Sequence, residues 1–252
     1  MISLKTQLDE YVKIYETPEF IKDDPVQFIH RFENKRDIET AGFIASSFSY
    51  GKREVFISKL NHIFKLMGNK PFDYVKAGCF DNIKGCDYRF SRDIDLVQLL
   101  KILNILYNEG GTLESLFEYS YTECGKDVWQ MFQGAADYFY ARVNMPVTKG
   151  FYHLIPNPAK KSALKRMNMM LRWFIRSGAV DRGIWNFVPK SELLLPLDVH
   201  SAKISRKLGI LKRKDNGYES VMEASRALRQ LDADDPVKYD FALFGYGVNN
   251  KI

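Results

Sequence analysis

Apolar residues along the chain recur at spacings of three and four, as in Leu96, Leu99, Leu100, Leu103 and Leu106, while sustained alternation is nearly absent. The pattern predicts an all-α fold. Helices are expected near 2–15, 38–49, 51–67, 93–108, 112–119, 126–142, 162–177, 199–209 and 217–231. Asp24-Pro25 and Asp235-Pro236 each read as an N-cap followed by proline at the first helical position, predicting helices over 25–35 and 236–246. Gly68, Gly110-Gly111, Pro146, Pro156, Pro158, Gly178 and Pro189 punctuate the series. With no low-complexity linker and no repeat of fixed period, residues 1–252 are expected to form one helical domain, in which any division into two lobes would be a cleft within a single body.

Composition narrows the class. Of 252 residues, 46% are hydrophobic and 27% charged, within the range of a chain that buries a core without disulfide or metal staples. Cys79, Cys86 and Cys124 are odd in number and lack CxxC spacing, and four histidines do not complete a zinc pattern, so no metal or cofactor is expected and the compartment should be reducing. Asp9 and Glu10 fall where a signal peptide needs apolar residues. The nearest apolar run, 167–175, is broken by Asn168 and Arg172. A cytoplasmic, nucleoid-associated monomer with no membrane contact is the expectation.

Charge changes the picture more. The chain carries 37 Lys and Arg against 31 Asp and Glu, a net of +6. Residues 149–214 hold fifteen of those bases and three acids (Asp181, Glu192, Asp198), leaving the rest of the chain net acidic. Such segregation points to a polyanionic partner, and nucleic acid is the leading one.

Within this basic stretch, a helical wheel places Lys161, Lys165, Asn168, Arg172 and Arg176 in a stripe about 80° wide. Leu164, Met167, Met170, Leu171, Phe174 and Ile175 gather on another face, which reads as core, and Ser162 or the stretch before it can cap the helix. Further on, Leu195-Pro196-Leu197 leads into Asp198 at the head of a helix that ends at Gly209. In isolation Asp198 is explained equally well as an N-cap.

Lys165 opening a helix, Pro196-Leu197-Asp198-Val199-His200 and the terminal Arg206-Lys207-Leu208-Gly209 resemble the helix-hairpin-helix DNA glycosylase superfamily. The wider chain is similar to a bacterial branch of it through Gly42-Phe43-Ile44-Ala45-Ser46, Leu171-Arg172-Trp173 and residues 235–243. The resemblance implies a two-lobed helical fold, Lys165 and Asp198 as the catalytic pair, and DNA as the partner. The two residues stand 33 apart, a spacing similar to that of archaeal 8-oxoguanine DNA glycosylases. The glycine-rich hairpin of the superfamily is replaced by Pro158-Ala159-Lys160-Lys161-Ser162-Ala163-Leu164-Lys165, and no cysteine follows Cys124 to form the iron-sulfur loop of some relatives.

The implied chemistry is base excision coupled to abasic-site lyase activity, on an oxidised purine such as 8-oxoguanine. Lys165 must be uncharged to attack the sugar C1′, and burial beside Lys161, Arg166 and Arg172 would favour the free amine. Asp198 would face the positive charge that develops on the sugar. Lys160, Lys161, Arg166, Arg172, Arg176, His200 and Lys203 are the expected DNA contacts, and Trp173, Tyr50 and Phe151 candidate walls for a flipped base, with Tyr152 and Trp185 in reserve. A non-catalytic DNA or RNA binding protein on the same scaffold remains open. An enzyme acting on a small phosphorylated substrate is disfavoured, because no Gly-rich phosphate loop is present.

Overall fold

The structure is a computed structural model and describes residues 3–250. Its helices are, in chain order, α1 (Leu4–Tyr15), α2 (Pro18–Ile21), α3 (Lys35–Phe48), α4 (Arg53–Leu66), α5 (Pro71–Ala77), α6 (Asp93–Asn108), α7 (Leu113–Glu123), α8 (Val128–Tyr140), α9 (Lys149–Leu154), α10 (Lys165–Ile175), α11 (Val199–Lys207), α12 (Tyr218–Leu231) and α13 (Tyr239–Asn249). Short 3-10 turns occupy Pro25–Arg31, Pro158–Lys160, Lys190–Glu192 and Pro236–Lys238. Among the described residues there is no β-strand, only the isolated bridges Tyr88–Ser91 and Ser177–Arg182. The fold is all-α, as the spacing predicts.

Where periodicity is long and clean, the expected boundaries hold. α6 spans 93–108 as expected, and Leu96, Leu99, Leu100, Leu103 and Leu106 are all buried. Its start is fixed by Asp95, whose carboxylate accepts from the Arg92 backbone N–H at 2.7 Å. Three expectations need correction. Residues 25–31 form a 3-10 turn instead of a helix over 25–35, because Pro25, Val26, Phe28 and Ile29 bury at a three-residue period. Pro236 likewise opens a single 3-10 turn that continues into α13, and the Asp235 carboxylate caps nothing, being engaged by Arg176. α10 starts at Lys165 and not at 162, since Lys161 and Leu164 take left-handed backbone angles (φ +52° and +47°) that a helix cannot contain. The short helices α2, α5 and α9 escape detection because none is longer than seven residues.

The chain forms two compact units. A terminal unit combines Met1–Asp24 with Lys160–Ile252, and an inserted unit consists of Pro25–Ala159. The basic stretch 149–214 is thus divided, its first part belonging to the inserted unit.

In the inserted unit α3 is the central helix: every residue from Ile38 to Phe48 is buried. Thr40 Oγ1 and the Tyr107 hydroxyl share a hydrogen bond of 2.9 Å, and Phe43 stacks on Phe139 with ring centroids 5.3 Å apart. In the terminal unit α1 and α11 both pack on α13. Phe20 meets Phe241 edge-on at 5.2 Å and Tyr15 meets Phe244 at 5.8 Å. Gly245 permits this approach, because a Cβ there would lie 2.1 Å from the Tyr15 ring. Met167 and Met170 of α10 are buried as the apolar face predicts, and Met169, outside that face, is buried as well.

Candidate functional site

Three helix starts in the terminal unit carry the candidate chemistry. At the first, the irregular turn 160–164 delivers Lys165 as the opening residue of α10. The turn is held from outside: the Tyr218 N–H donates to the Lys161 carbonyl at 2.9 Å, tying it to the head of α12. Leu164 occupies the N-cap position and, having no polar side chain, leaves the helix start uncapped. Asn168 Nδ2 donates to the Ala163 carbonyl at 3.1 Å, while its buried Oδ1 has no hydrogen-bond partner. Lys165 is half-buried, and its one hydrogen bond among the described residues runs to Met169 Sδ at 3.5 Å, a weak acceptor that does not neutralise an ammonium.

At the second start, the buried segment Leu193–Leu197 ends in Asp198, the N-cap of α11. Leu195 N donates to Ser225 Oγ at 2.9 Å and anchors that segment to α12. Asp198 Oδ1 accepts from the Ser201 N–H at 2.8 Å, and Ser201 Oγ in turn accepts from the Asp198 N–H at 2.8 Å. Both readings of Asp198 therefore remain compatible: one oxygen is a cap, and Oδ2 carries no hydrogen bond among the described residues. The residue is half-buried.

The third start belongs to the helix expected after Pro236, but no chemical role is assigned there from sequence. Asp240, in the first turn of α13, accepts a hydrogen bond from Arg172 Nη1 and feels the charges of Lys165, Asp198 and Asp24. Burial pushes its carboxyl up to about 6, against the opposing pull of Arg172 and Lys165. That common field brings Lys165, Asp198 and Asp240 into one electrostatic cluster.

Two of the expected DNA contacts are corrected. Arg172 and Arg176 are only 3% exposed and are spent on carboxylates inside the terminal unit. Arg172 Nε donates to Asp181 Oδ1 at 3.3 Å, beside the Asp240 bond. Arg176 donates to Glu16 at 2.9 Å, to Asp181 at 2.5 Å and to both oxygens of Asp235. Burial alone would lower the Arg172 guanidinium, but Asp181 and Asp240 outweigh it and hold it above its ordinary value. Burial opposes Arg176 too, and its hydrogen bond to Asp235 together with Asp181 and Glu16 raises it further. These cations cannot meet phosphates where they stand, nor does Arg172 act on Lys165 as an uncompensated like charge.

The other expected contacts are differently placed. Lys160 and Lys161 are exposed on the turn before α10, and His200 and Lys203 are exposed on α11; Arg166 is half-buried. Trp173 and Phe151 are fully buried, and Trp185 packs on Phe174 at 4.6 Å; these rings fill cores and cannot receive a base without rearrangement. Tyr50 belongs to the inserted unit, where its ring meets His153 at 4.1 Å and its hydroxyl donates to the Tyr88 carbonyl at 2.8 Å. Tyr152, also in that unit, is exposed.

Cys79, Cys86 and Cys124 are free thiols. Among the described residues, no three His, Cys, Asp or Glu side chains are grouped to hold a metal ion, and no helix is long and apolar enough to cross a membrane.

No curated protein and no solved structure matches the chain significantly. A family model does match, over residues 24–249, under the description "Protein of unknown function (DUF2400)", and the chain belongs to that family.

Proposed function

We propose that this protein is a DNA base-excision glycosylase with abasic-site lyase activity, using Lys165 as the Schiff-base nucleophile and Asp198 as the carboxylate that stabilises the sugar cation. The observation that supports this reading most is the state of Lys165: a half-buried lysine at a helix start whose amine has a thioether and no carboxylate as hydrogen-bond partner. Structural lysines at such depth are normally paired, whereas a nucleophilic amine must be able to shed its proton.

In the proposed reaction the free amine forms a bond to C1′ as the bond from C1′ to the damaged base breaks and the base leaves with its electron pair. Asp198 Oδ2 faces the positive charge that builds on the sugar in between. Ring opening gives an iminium on Lys165, and loss of the C2′ proton then expels the 3′ phosphate by β-elimination. An oxidised purine is the proposed target. Lys160, Lys161 and Lys203, exposed in the same unit, would neutralise backbone phosphates.

The test is borohydride trapping with duplex DNA bearing 8-oxoguanine, and with DNA bearing an abasic site. A covalent complex with the protein is the expected result. Its absence across oxidised, deaminated, alkylated and abasic substrates, with salt-sensitive binding retained, would leave a non-catalytic nucleic-acid binder.

A further inference from the structure

Part of the inserted unit carries charge of the opposite sign to the basic stretch. Residues 109–142, which hold α7 and α8, contain Glu109, Glu114, Glu118, Glu123, Asp127 and Asp137 against Lys126 and Arg142, a net of −4. The two helices form a hairpin joined by residues 124–127. One side of that hairpin is an open, mainly apolar groove of about 310 Å³. Leu116, Tyr119 and Glu123 line it from α7 at helical spacing, as do Gln130, Gly134 and Tyr138 from α8. The helices approach closely beneath it. Ser120 Oγ donates to the Leu116 carbonyl at 2.8 Å, and a Cβ at Gly134 would lie 3.1 Å from the Ser120 Cβ. Tyr119 is 66% exposed, and the hydroxyl of Tyr138, buried in the groove wall, has no hydrogen-bond partner.

Each wall of the groove carries an acid. Glu123 lines it from α7, exposed and with no hydrogen bond or ion pair at its carboxylate among the described residues. On α8, Asp137 lies three residues beyond Gly134, on the same side of the helix, and is bonded only by the neutral Gln133 amide, Nε2 donating at 2.8 Å. At the Tyr138 end, Arg142 lies 3.7 Å over the ring and Glu109 acts with the opposite sign. We propose that this groove docks a cationic amphipathic helix of a partner protein, whose apolar side chains cover Leu116 and Tyr119 while its Lys or Arg side chains meet Glu123 and Asp137. The reading is independent of the lysine chemistry proposed above. Charge selects the occupant, since an acidic surface repels nucleic acid and anionic lipid. A helix suits the groove because no strand edge exists among the described residues to pair with an extended segment. Gln130 and Tyr138 are eight residues apart, about 12 Å of helix, so two turns of a partner with anchors four residues apart span the groove.

The experiment uses the full chain and a fluorescent helical peptide of leucine and lysine, with leucine at i, i+3, i+4 and i+7 and one leucine replaced by a photoreactive analogue. Its counterpart has glutamate in place of every lysine. Anisotropy titrations should show binding of the lysine peptide and none of the glutamate peptide. Tyr119→Ala and Glu123→Lys should each weaken binding at least about tenfold, as expected for an aromatic anchor and a facing charge. Glu118→Lys is the control, an identical charge change at an exposed position on the far side of α7 at 100° per residue, and should weaken binding by no more than about threefold. Folding is not at stake in these variants, because all three side chains are exposed and a lysine at the end of α7 favours the helix dipole. Irradiation of the wild-type complex should place the crosslinks in residues 113–140, read by peptide mass spectrometry.

No binding of the lysine peptide, equal losses in Glu118→Lys and Glu123→Lys, or crosslinks outside the hairpin would overturn the assignment. Sedimentation velocity of the protein alone addresses the other occupant: self-association that Tyr119→Ala abolishes would give the groove to a second copy of the chain and overturn the partner-helix reading.

Discussion

Arg176 grips Asp235 with two parallel hydrogen bonds, Nε to Oδ1 at 2.8 Å and Nη2 to Oδ2 at 2.9 Å, joining the end of α10 to the turn that opens α13. The pair is nearly dry, with Arg176 4% and Asp235 16% exposed, and Glu16 and Asp181 complete the guanidinium's partners. Removing one side leaves charge buried without compensation. Arg176→Ala should therefore destabilise the protein by about 3–5 kcal/mol in urea unfolding. Arg176→Lys should recover only part of that, because a point charge cannot reproduce the two-pronged contact.

Surface lysines should behave in the opposite way. Charge reversal at Lys161 or Lys203 should leave unfolding within about 0.5 kcal/mol of wild type. Each should reduce the slope of log affinity for DNA against log salt by about one to two units. Titrations of a fluorescent duplex between low and moderate salt measure this. Equal slopes for wild type and both variants would mean that this surface does not meet phosphate.

Lys165→Gln should abolish the borohydride adduct while leaving DNA affinity nearly intact, since one cation among many is lost. Asp198→Asn should slow release of the damaged base by orders of magnitude yet spare reaction at a preformed abasic site, where no sugar cation has to form. The amide keeps an oxygen acceptor for the Ser201 N–H, so its stability cost should not exceed about 1 kcal/mol. Single-turnover base release and abasic trapping, run side by side, separate the two roles.

Stability against pH tests Asp240 separately from any substrate. Its carboxyl is raised to about 6 by burial, so its contribution is fully present below the ordinary carboxylate range and is lost as pH rises through 6. The stability of wild type relative to Asp240→Asn should accordingly fall between pH 4 and pH 7, by at most about 3 kcal/mol. Urea midpoints of both proteins across that interval give the difference directly, and a difference that grows with pH would contradict the sign.

Particular residues explain how much of this was legible in sequence. α6 and the Met-rich face of α10 could be read because their periodicity is local and long enough to count. Asp198 was found by its motif and its cap. Arg172 and Arg176 were misread as surface because most of their neutralising partners are remote: Glu16 is 160 residues from Arg176, Asp235 is 59 from it, and Asp240 is 68 from Arg172, while only Asp181, nine and five residues away, lies nearby. A window of sequence records the bases of a buried ion cluster and misses most of its acids. The aromatic candidates erred similarly, since a tryptophan near a motif looks the same whether it lines a recess or fills a core. Asp240 lay inside the matching segment 235–243 yet was assigned no role, because its contact with Arg172 arises only where α10 and α13 meet.

The division of the chain also sets an order of assembly. The inserted unit, Pro25–Ala159, is complete before Lys165 has been synthesised, whereas α1 must wait for α13, the last helix described, before it has its packing partner. A nascent chain that has emitted Lys165 and Asp198 still lacks Asp240, Asp235 and the whole of α13, so Arg172 and Arg176 have not yet met those acids. The charge cluster closes only when synthesis has passed α13, which makes the candidate site mature later than the inserted unit.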